Sequence, residues 1–229
     1  MKTLISCVFL LISTQLFALV VPDLALGVKK DDNVIVMQTN LGDIVIALDS
    51  DRAPKTVANF KKYIQTGFYE NVVFHRVISN FMIQGGGFTR KMEKKTATFK
   101  VENESIGGLP NIKGSISMAR TSDPHSASSQ FFINVQGNTS LDSNSVDHFG
   151  YTVFGQVIKG LDGVDQIKML KIQKITPAFT GAITHHTSPV AAVIIEQVYF
   201  KGAKPEMVAL KSAATEQLAA KTESGFVTL

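Results

Sequence analysis

The sequence predicts an all-β-dominated domain, a closed barrel or a sandwich, that also carries two helices. Three observations predict it. Runs rich in Val, Ile and Phe are short, and Gly, Pro, Asn and Asp turn signals separate them. Only two stretches show helical spacing, too few for alternating strand–helix units over a parallel sheet. With its ends trimmed, the 229-residue chain is still long enough to bury a core without metal or disulfide support.

The elements follow in order. Asn33–Gln38 (NVIVMQ) and Asp43–Leu48 (DIVIAL) flank Thr39-Asn40-Leu41-Gly42 and read as an antiparallel hairpin. Pro54 then opens a helix. Val57, Phe60, Tyr63 and Ile64 share one face, Lys55, Lys61 and Lys62 face water, and Gly67 stands where the helix should end. Strand-like runs follow at Val72–Val77, Phe81–Gln84, Ala97–Val101, Ser115–Ala119, Phe131–Val135 and Tyr151–Val157. Leu161–Met169 is the second helix, with Val164 and Ile167 in register, and Val190–Phe200 is the last strand. Glu102–Lys113 and Lys171–Ser188 read as loops.

Both ends differ in composition from this body. Residues 3–21 form the one long apolar stretch, Lys2 precedes it, Pro22 and Asp23 break it, and small residues stand at Ala25 and Gly27. That pattern predicts a secretory signal over residues 1–27, with an uncleaved anchor as the alternative. The single cysteine, Cys7, lies inside it. The chain beyond therefore has no disulfide, no thiol catalysis and no cysteine-ligated zinc. Export without cysteine suits an oxidising compartment such as a bacterial periplasm. The folded domain is expected over residues 28–200. Residues 201–229, rich in Ala, Lys, Thr and Ser, read as a solvated tail with a helix as the alternative. A net charge of +4, from 23 basic and 19 acidic residues without runs, gives no phosphate-tracking surface, so no nucleic-acid partner is expected.

The usual reaction machinery is missing. There is no Gly-x-Ser-x-Gly elbow, and Gly85-Gly86-Gly87 is not followed by Gly-Lys-Ser/Thr. His125 and the His185-His186 pair lie in loop-like composition without metal-ligand spacing, so neither metal nor cofactor is expected. What stands out is costly polar groups inside apolar runs. Arg76 sits in Phe74–Ile78 (FHRVI), and arginine is rarely buried without a partner. Gln84 ends an apolar run before three glycines in Phe81–Phe88 (FMIQGGGF). Consecutive glycines suit close backbone approach or positive φ. Gln130 adjoins Phe131 and Phe132. Each segment alone fits ordinary strand packing. Together, Arg76, Gln84 and Gln130 with Phe81, Met82 and Phe132 read as an apolar pocket with a donor rim.

At these residues the sequence resembles the cyclophilin family of peptidyl-prolyl cis/trans isomerases, especially its exported bacterial branch. The matching stretches are Phe74–Val77 (FHRV), FMIQGGGF, Gly114–Ala119 (GSISMA), Ser129–Ile133 (SQFFI), Leu141-Asp142 and Tyr151–Gly155 (YTVFG), in family order from about Val34 to Phe200. The resemblance implies a closed eight-stranded antiparallel β-barrel capped by two helices, so one of the nine strand-like segments should be a loop. It implies that Arg76 is the catalytic arginine, and that Phe81, Met82, Phe132 and Leu141 wall a proline pocket. Gln84 would contact the substrate backbone with Gln130 in support. Ala119 and Arg120 would bind peptide partly through main-chain atoms, and Tyr151 fills a position that is His in many eukaryotic members. The implied partners are proline-containing unfolded or exported polypeptides, met by a monomer in the periplasm, with membrane contact only if the signal stays uncleaved.

Two departures are visible. Eukaryotic members often carry Trp before the Leu141 position, where this chain has Ser140, so weak or no cyclosporin binding is expected. Ser143–His148 (SNSVDH) makes the adjoining loop longer than in those members. Two other readings compete. A non-catalytic cyclophilin-like peptide-binding or chaperone module would usually lack the arginine or part of the wall, and both are retained here. A lipocalin-like ligand barrel predicts a hollow apolar interior without an Arg/Gln rim.

Overall fold

The computed structural model describes residues 33–145, 147–175 and 186–203. The expected signal over 1–27, and all but the first three residues of the 201–229 tail, lie outside the described residues. The elements are β1 (Val34–Thr39), β2 (Gly42–Leu48), α1 (Pro54–Gln65), β3 (Val72–Val73), β4 (Arg76–Ile78), β5 (Met82–Gly85), β6 (Ser115–Met118), β7 (Phe131–Asn134), β8 (Val153–Lys159), α2 (Leu161–Lys168), β9 (Ile172–Ile175), β10 (His186–Pro189) and β11 (Ile194–Phe200). Nine strands form one sheet in the order β3-β11-β1-β2-β8-β6-β7-β5-β4, and β9 pairs with β10 separately. Every pairing in the large sheet is antiparallel.

The sheet curls strongly, yet the closed eight-stranded barrel expected from the sequence is not what the pairing shows. The run Val72–Val77 divides in two. Its first part, β3, pairs with β11, and its second part, β4, pairs with β5. Thus β3 and β4 are the two ends of the sheet, consecutive in the chain and separated only by Phe74-His75.

Two further expectations are corrected. Ala97–Val101 is not a strand. Its main chain is tied to a side chain instead, because the Tyr63 hydroxyl donates to Phe99 O (2.7 Å) and accepts from Phe99 N (2.8 Å). Only Val101 forms a bridge, to Ala127. Lys171–Ser188, read as a loop, contains β9 and most of β10. This hairpin lies against the sheet's end strand β4, where Thr187 Oγ1 donates to Val77 O (2.7 Å).

Alternation along the strands assigns one face to the core. Ile35 and Met37 of β1, Ile44, Ile46 and Leu48 of β2, and Ile83, Ile116 and Ile133 of β5, β6 and β7 all enter one buried cluster. Helix α1 adds Val57, Phe60 and Ile64, and α2 adds Val164 and Ile167. Phe60 lies at the centre, its ring 4.9 Å from Tyr69, 5.7 Å from Phe131 and 5.0 Å from Phe154. Pro54 starts α1, and Glu104 caps it from the 102–113 loop, accepting the N–H of Lys55 (3.0 Å) and Thr56 (2.8 Å). A carboxylate there satisfies orphan donors and opposes the positive end of the helix dipole. Phe60→Ala would empty this centre, and a loss of about 3–5 kcal/mol is expected in urea unfolding.

Candidate functional site

Residues between the core positions of β4–β7 point to the other face, and the strand register lines them up. Arg76 lies opposite Gln84, Gln84 opposite Phe132, and Phe132 opposite Ser117. In the next row Ile78 faces Met82, and Met82 faces Asn134. The sequence thus folds an arginine, a carboxamide and an aromatic ring into one cross-strand line. Met82 and Phe132 are buried there at 1% and 4% exposure, yet neither belongs to the main core cluster.

Arg76 is half-buried, and its Nη1 donates to Gln84 Oε1 (3.2 Å). Gln84 Nε2 donates in turn to Gln130 Oε1 (2.9 Å). One donor of the guanidinium fork is thereby held while the cation keeps others to offer. Burial lowers the Arg76 pKa from its ordinary value, and the nearby Tyr151 phenol pushes it back up. Arginine starts so high that the group remains a cation at neutral pH.

The glycines explain how Gln130 comes so near. Gly86 has φ +83°, and a Cβ there would stand 2.6 Å from Ser129 O. At Gly87 a Cβ would lie 2.6 Å from Gln130 Cδ. The 128–130 segment is anchored from behind by Asn59 Nδ2 on Ser128 O (2.7 Å), Tyr69 Oη on Ser129 O (2.9 Å) and Ser129 Oγ on Gly86 O (2.9 Å). Burial, with the Tyr63 phenol adding to it, raises the Tyr69 pKa well above its ordinary value, so this phenol stays a donor.

Beside this face run a 3-10 turn over Thr139–Leu141 and Tyr151. Tyr151 N donates to Leu141 O (2.8 Å), and the Tyr151 ring meets Phe132 edge-on at 5.6 Å. Phe81 is part-buried at the turn into β5, and Val135 N donates to its carbonyl (3.2 Å). Ala119 N bonds Gln130 O (2.9 Å), which joins the two sides. The Arg120 side chain builds wall: Nε reaches Gly150 O (3.1 Å), Nη2 reaches Phe149 O (2.7 Å), and the guanidinium stacks 4.6 Å from the Tyr151 ring centroid.

Of the residues singled out in the sequence, Arg76, Gln84, Gln130, Met82 and Phe132 meet on one face, Tyr151 joins them through its ring on Phe132 and through Arg120, and Phe81, Leu141 and Ala119 are tied to them through their main chains. Ser140 is exposed on the 3-10 turn. His125 lies apart on the surface, its Nδ1 accepting from Asn103 N (3.2 Å), and His185 is outside the described residues. Sequence reasoning missed the supports Asn59, Tyr69, Asn111, Ser117, Asn134 and Asn138. One signal was available: Asn134 follows Phe131-Phe132-Ile133 inside a strand, where a carboxamide is disfavoured. Among the described residues no group of three or more His, Cys, Asp or Glu is placed to hold a metal ion.

A half-buried guanidinium, held by a carboxamide beside buried apolar side chains, thus lies on one face of a curled antiparallel sheet. Residues 34–199 match the family model for cyclophilin type peptidyl-prolyl cis-trans isomerase/CLD, and the chain belongs to that family. It is 48% identical over 143 residues to peptidyl-prolyl cis-trans isomerase A of Dickeya dadantii, covering 62% of this chain and 75% of that protein. It is 44% identical over 173 residues to peptidyl-prolyl cis-trans isomerase cyp18 of Streptomyces antibioticus, covering 74% and 99%. Peptidyl-prolyl cis-trans isomerase B of Escherichia coli is 46% identical over 167 residues, covering 72% and 98%. Among solved structures, the cyclophilin AquaCyp293 of Hirschia baltica shares the fold at TM-score 0.59 and 23% identity, covering 76% of each chain.

Gly86→Ala would combine a left-handed φ with a clash against Ser129 O, and a loss of about 2 kcal/mol or more is expected in urea unfolding. Gly137→Ala is the control. Its Cβ would meet nothing within 4 Å, so a change of about 0.5 kcal/mol or less is expected.

Proposed function

We propose that this chain is a peptidyl-prolyl cis/trans isomerase that accelerates X–Pro rotation in exported polypeptides as they fold. The observation that carries this reading is the placement of Arg76. Its guanidinium is half-buried and fixed by Gln84, on the face that also holds Met82 and Phe132.

Rotation about X–Pro breaks amide resonance, with a barrier of about 18–20 kcal/mol. No covalent bond forms or breaks, so the site needs no nucleophile, acid or base. As the bond twists, the imide nitrogen becomes pyramidal and regains a lone pair. A fixed cationic donor stabilises that nitrogen better in the twisted state than in the planar one, which is differential binding of the transition state. The twisted carbonyl also loses dipole, so walls of Phe81, Met82, Phe132 and Leu141 disfavour the planar form. The same walls grip the pyrrolidine ring, while Gln84 and Gln130 hold the flanking backbone.

Magnitudes divide the work. An acceleration on the order of 10⁵ takes about 7 kcal/mol. One charge-assisted hydrogen bond supplies about 1.5–3 kcal/mol, so Arg76 shares the work with the apolar walls and with backbone alignment. The export reading rests on the apolar segment over 3–21 and on the absence of cysteine beyond it. N-terminal sequencing of the exported protein tests it, and recovery of Met1 in a membrane fraction overturns the soluble periplasmic location.

In a protease-coupled assay on proline peptides, Arg76→Ala is expected to lower kcat/KM by roughly 10²–10³-fold while the fold survives. Activity within about threefold of wild type would remove the arginine from its role. Arg76→Lys should also be poor, because an ammonium lacks the planar fork. Weak or no cyclosporin binding is expected, since Ser140 stands where many eukaryotic members carry Trp.

A further inference from the structure

The pocket walls come from three separate segments, and a continuous chain of buried carboxamides joins them. Asp142 Oδ1 accepts from Asn111 N (2.7 Å) and Asn111 Nδ2 (2.9 Å). The same Nδ2 reaches Tyr151 O at 3.3 Å. Asn111 Oδ1 accepts from Ser117 Oγ (2.7 Å) and from Asn134 Nδ2 (3.1 Å). Asn134 Oδ1 accepts from Asn138 Nδ2 (2.6 Å), which also donates to Phe81 O (2.8 Å). Asn138 O receives Leu141 N (2.9 Å). The chain thus ends on the carbonyl of Phe81 at one side, reaches Leu141 and Asp142 at the other, and touches Tyr151 between.

Its composition is costly. Asn111, Asn134 and Asn138 are 1%, 0% and 5% exposed, and each buried carboxamide must find partners or lose stability. Apolar residues could fill the space under the sheet face with no such demand. What a fully satisfied network adds is a single fixed arrangement of the segments it bonds. Besides one another and the side chains of Asp142, Ser115 and Ser117, the three asparagines bond the main chain of Phe81 and Tyr151.

We infer that Asn111, Asn134 and Asn138 are positioning residues that set the distance between the Phe81 wall and the Leu141–Tyr151 wall, and so the width of the notch that receives proline. The inference rests on the isomerase reading. Asn138 is the decisive member because it holds Phe81 O directly.

A double-mutant cycle on full-length protein tests this in the proline-peptide assay, with urea unfolding run on every variant. Asn138→Ala is expected to lower kcat/KM about five- to tenfold in the wild-type background. In a Phe81→Ala background the wall it positions is gone, and the further loss should fall to about twofold or less. In a Gln130→Ala background, whose supports are Gly86, Gly87 and Ser129, the full loss should remain. The loss of unfolding stability should be the same in all three backgrounds. A full kcat/KM loss that persists with Phe81→Ala overturns the inference. So does an equal shrinkage with Gln130→Ala, or no loss at all in the wild-type background. Should Asn138→Ala fail to fold, Asn138→Leu, which removes the donor but keeps the side-chain volume, enters the same cycle under the same criteria. An inactive wild type would instead defeat the isomerase reading, so the two failures are distinct.

Discussion

The period of two along β7 is the constraint on which everything else depends. Phe131 and Ile133 must enter the core, so Phe132 and Asn134 must leave it on the opposite face. A slip of one residue would exchange the two sets and dissolve both the core and the pocket. Each neighbour inherits the same condition through the ladder. Ile83 beside Ile133 fixes Gln84 beside Phe132, and Val77 beside Ile83 fixes Arg76 beside Gln84. The placement of the guanidinium is thus a consequence of hydrophobic burial on the other side of the sheet.

Electrostatics then work on what burial has placed. Desolvation weakens the hold of Arg76 on its proton without removing the charge, and Gln84 accepts one of its N–H groups without neutralising it. A carboxylate in that position would give a stronger pair but would compete for the cation with any substrate nitrogen. The neutral carboxamide fixes orientation and leaves the charge available. A second carboxamide, Gln130, fixes the first, and Gly86 and Gly87 let it come close enough to do so.

Much of this was legible in the sequence where local pattern and tertiary role coincide. The hairpin, α1 with Pro54 at its start, and α2 follow from periodicity; Arg76, Gln84 and Gln130 stood out as costly polar groups inside apolar runs, whereas Ala119, Arg120, Leu141 and Tyr151 came only with the family resemblance. The misreadings share a cause, which is a partner distant in sequence. Ala97–Val101 has strand-like composition, but its main chain is bonded by a tyrosine hydroxyl from α1. The pairing of β9 with β10 depends on contacts that no local composition encodes. Val72–Val77 reads as one strand because nothing in Phe74-His75 announces that the chain there passes from one end of the sheet to the other. The asparagine supports were hidden for the same reason, since Asn111 and Asn138 lie in segments where asparagine is ordinary turn chemistry.

The β9–β10 pair also lies along the margin of the sheet that carries Arg76. The strand bearing Arg76 ends the sheet, and a bare margin of that kind invites any extended chain to zip onto it. Thr187 already occupies the Val77 carbonyl from the hairpin. At this point the main chain of β4 already has a bonding partner within the molecule, so one place where a foreign strand could join the ladder is taken.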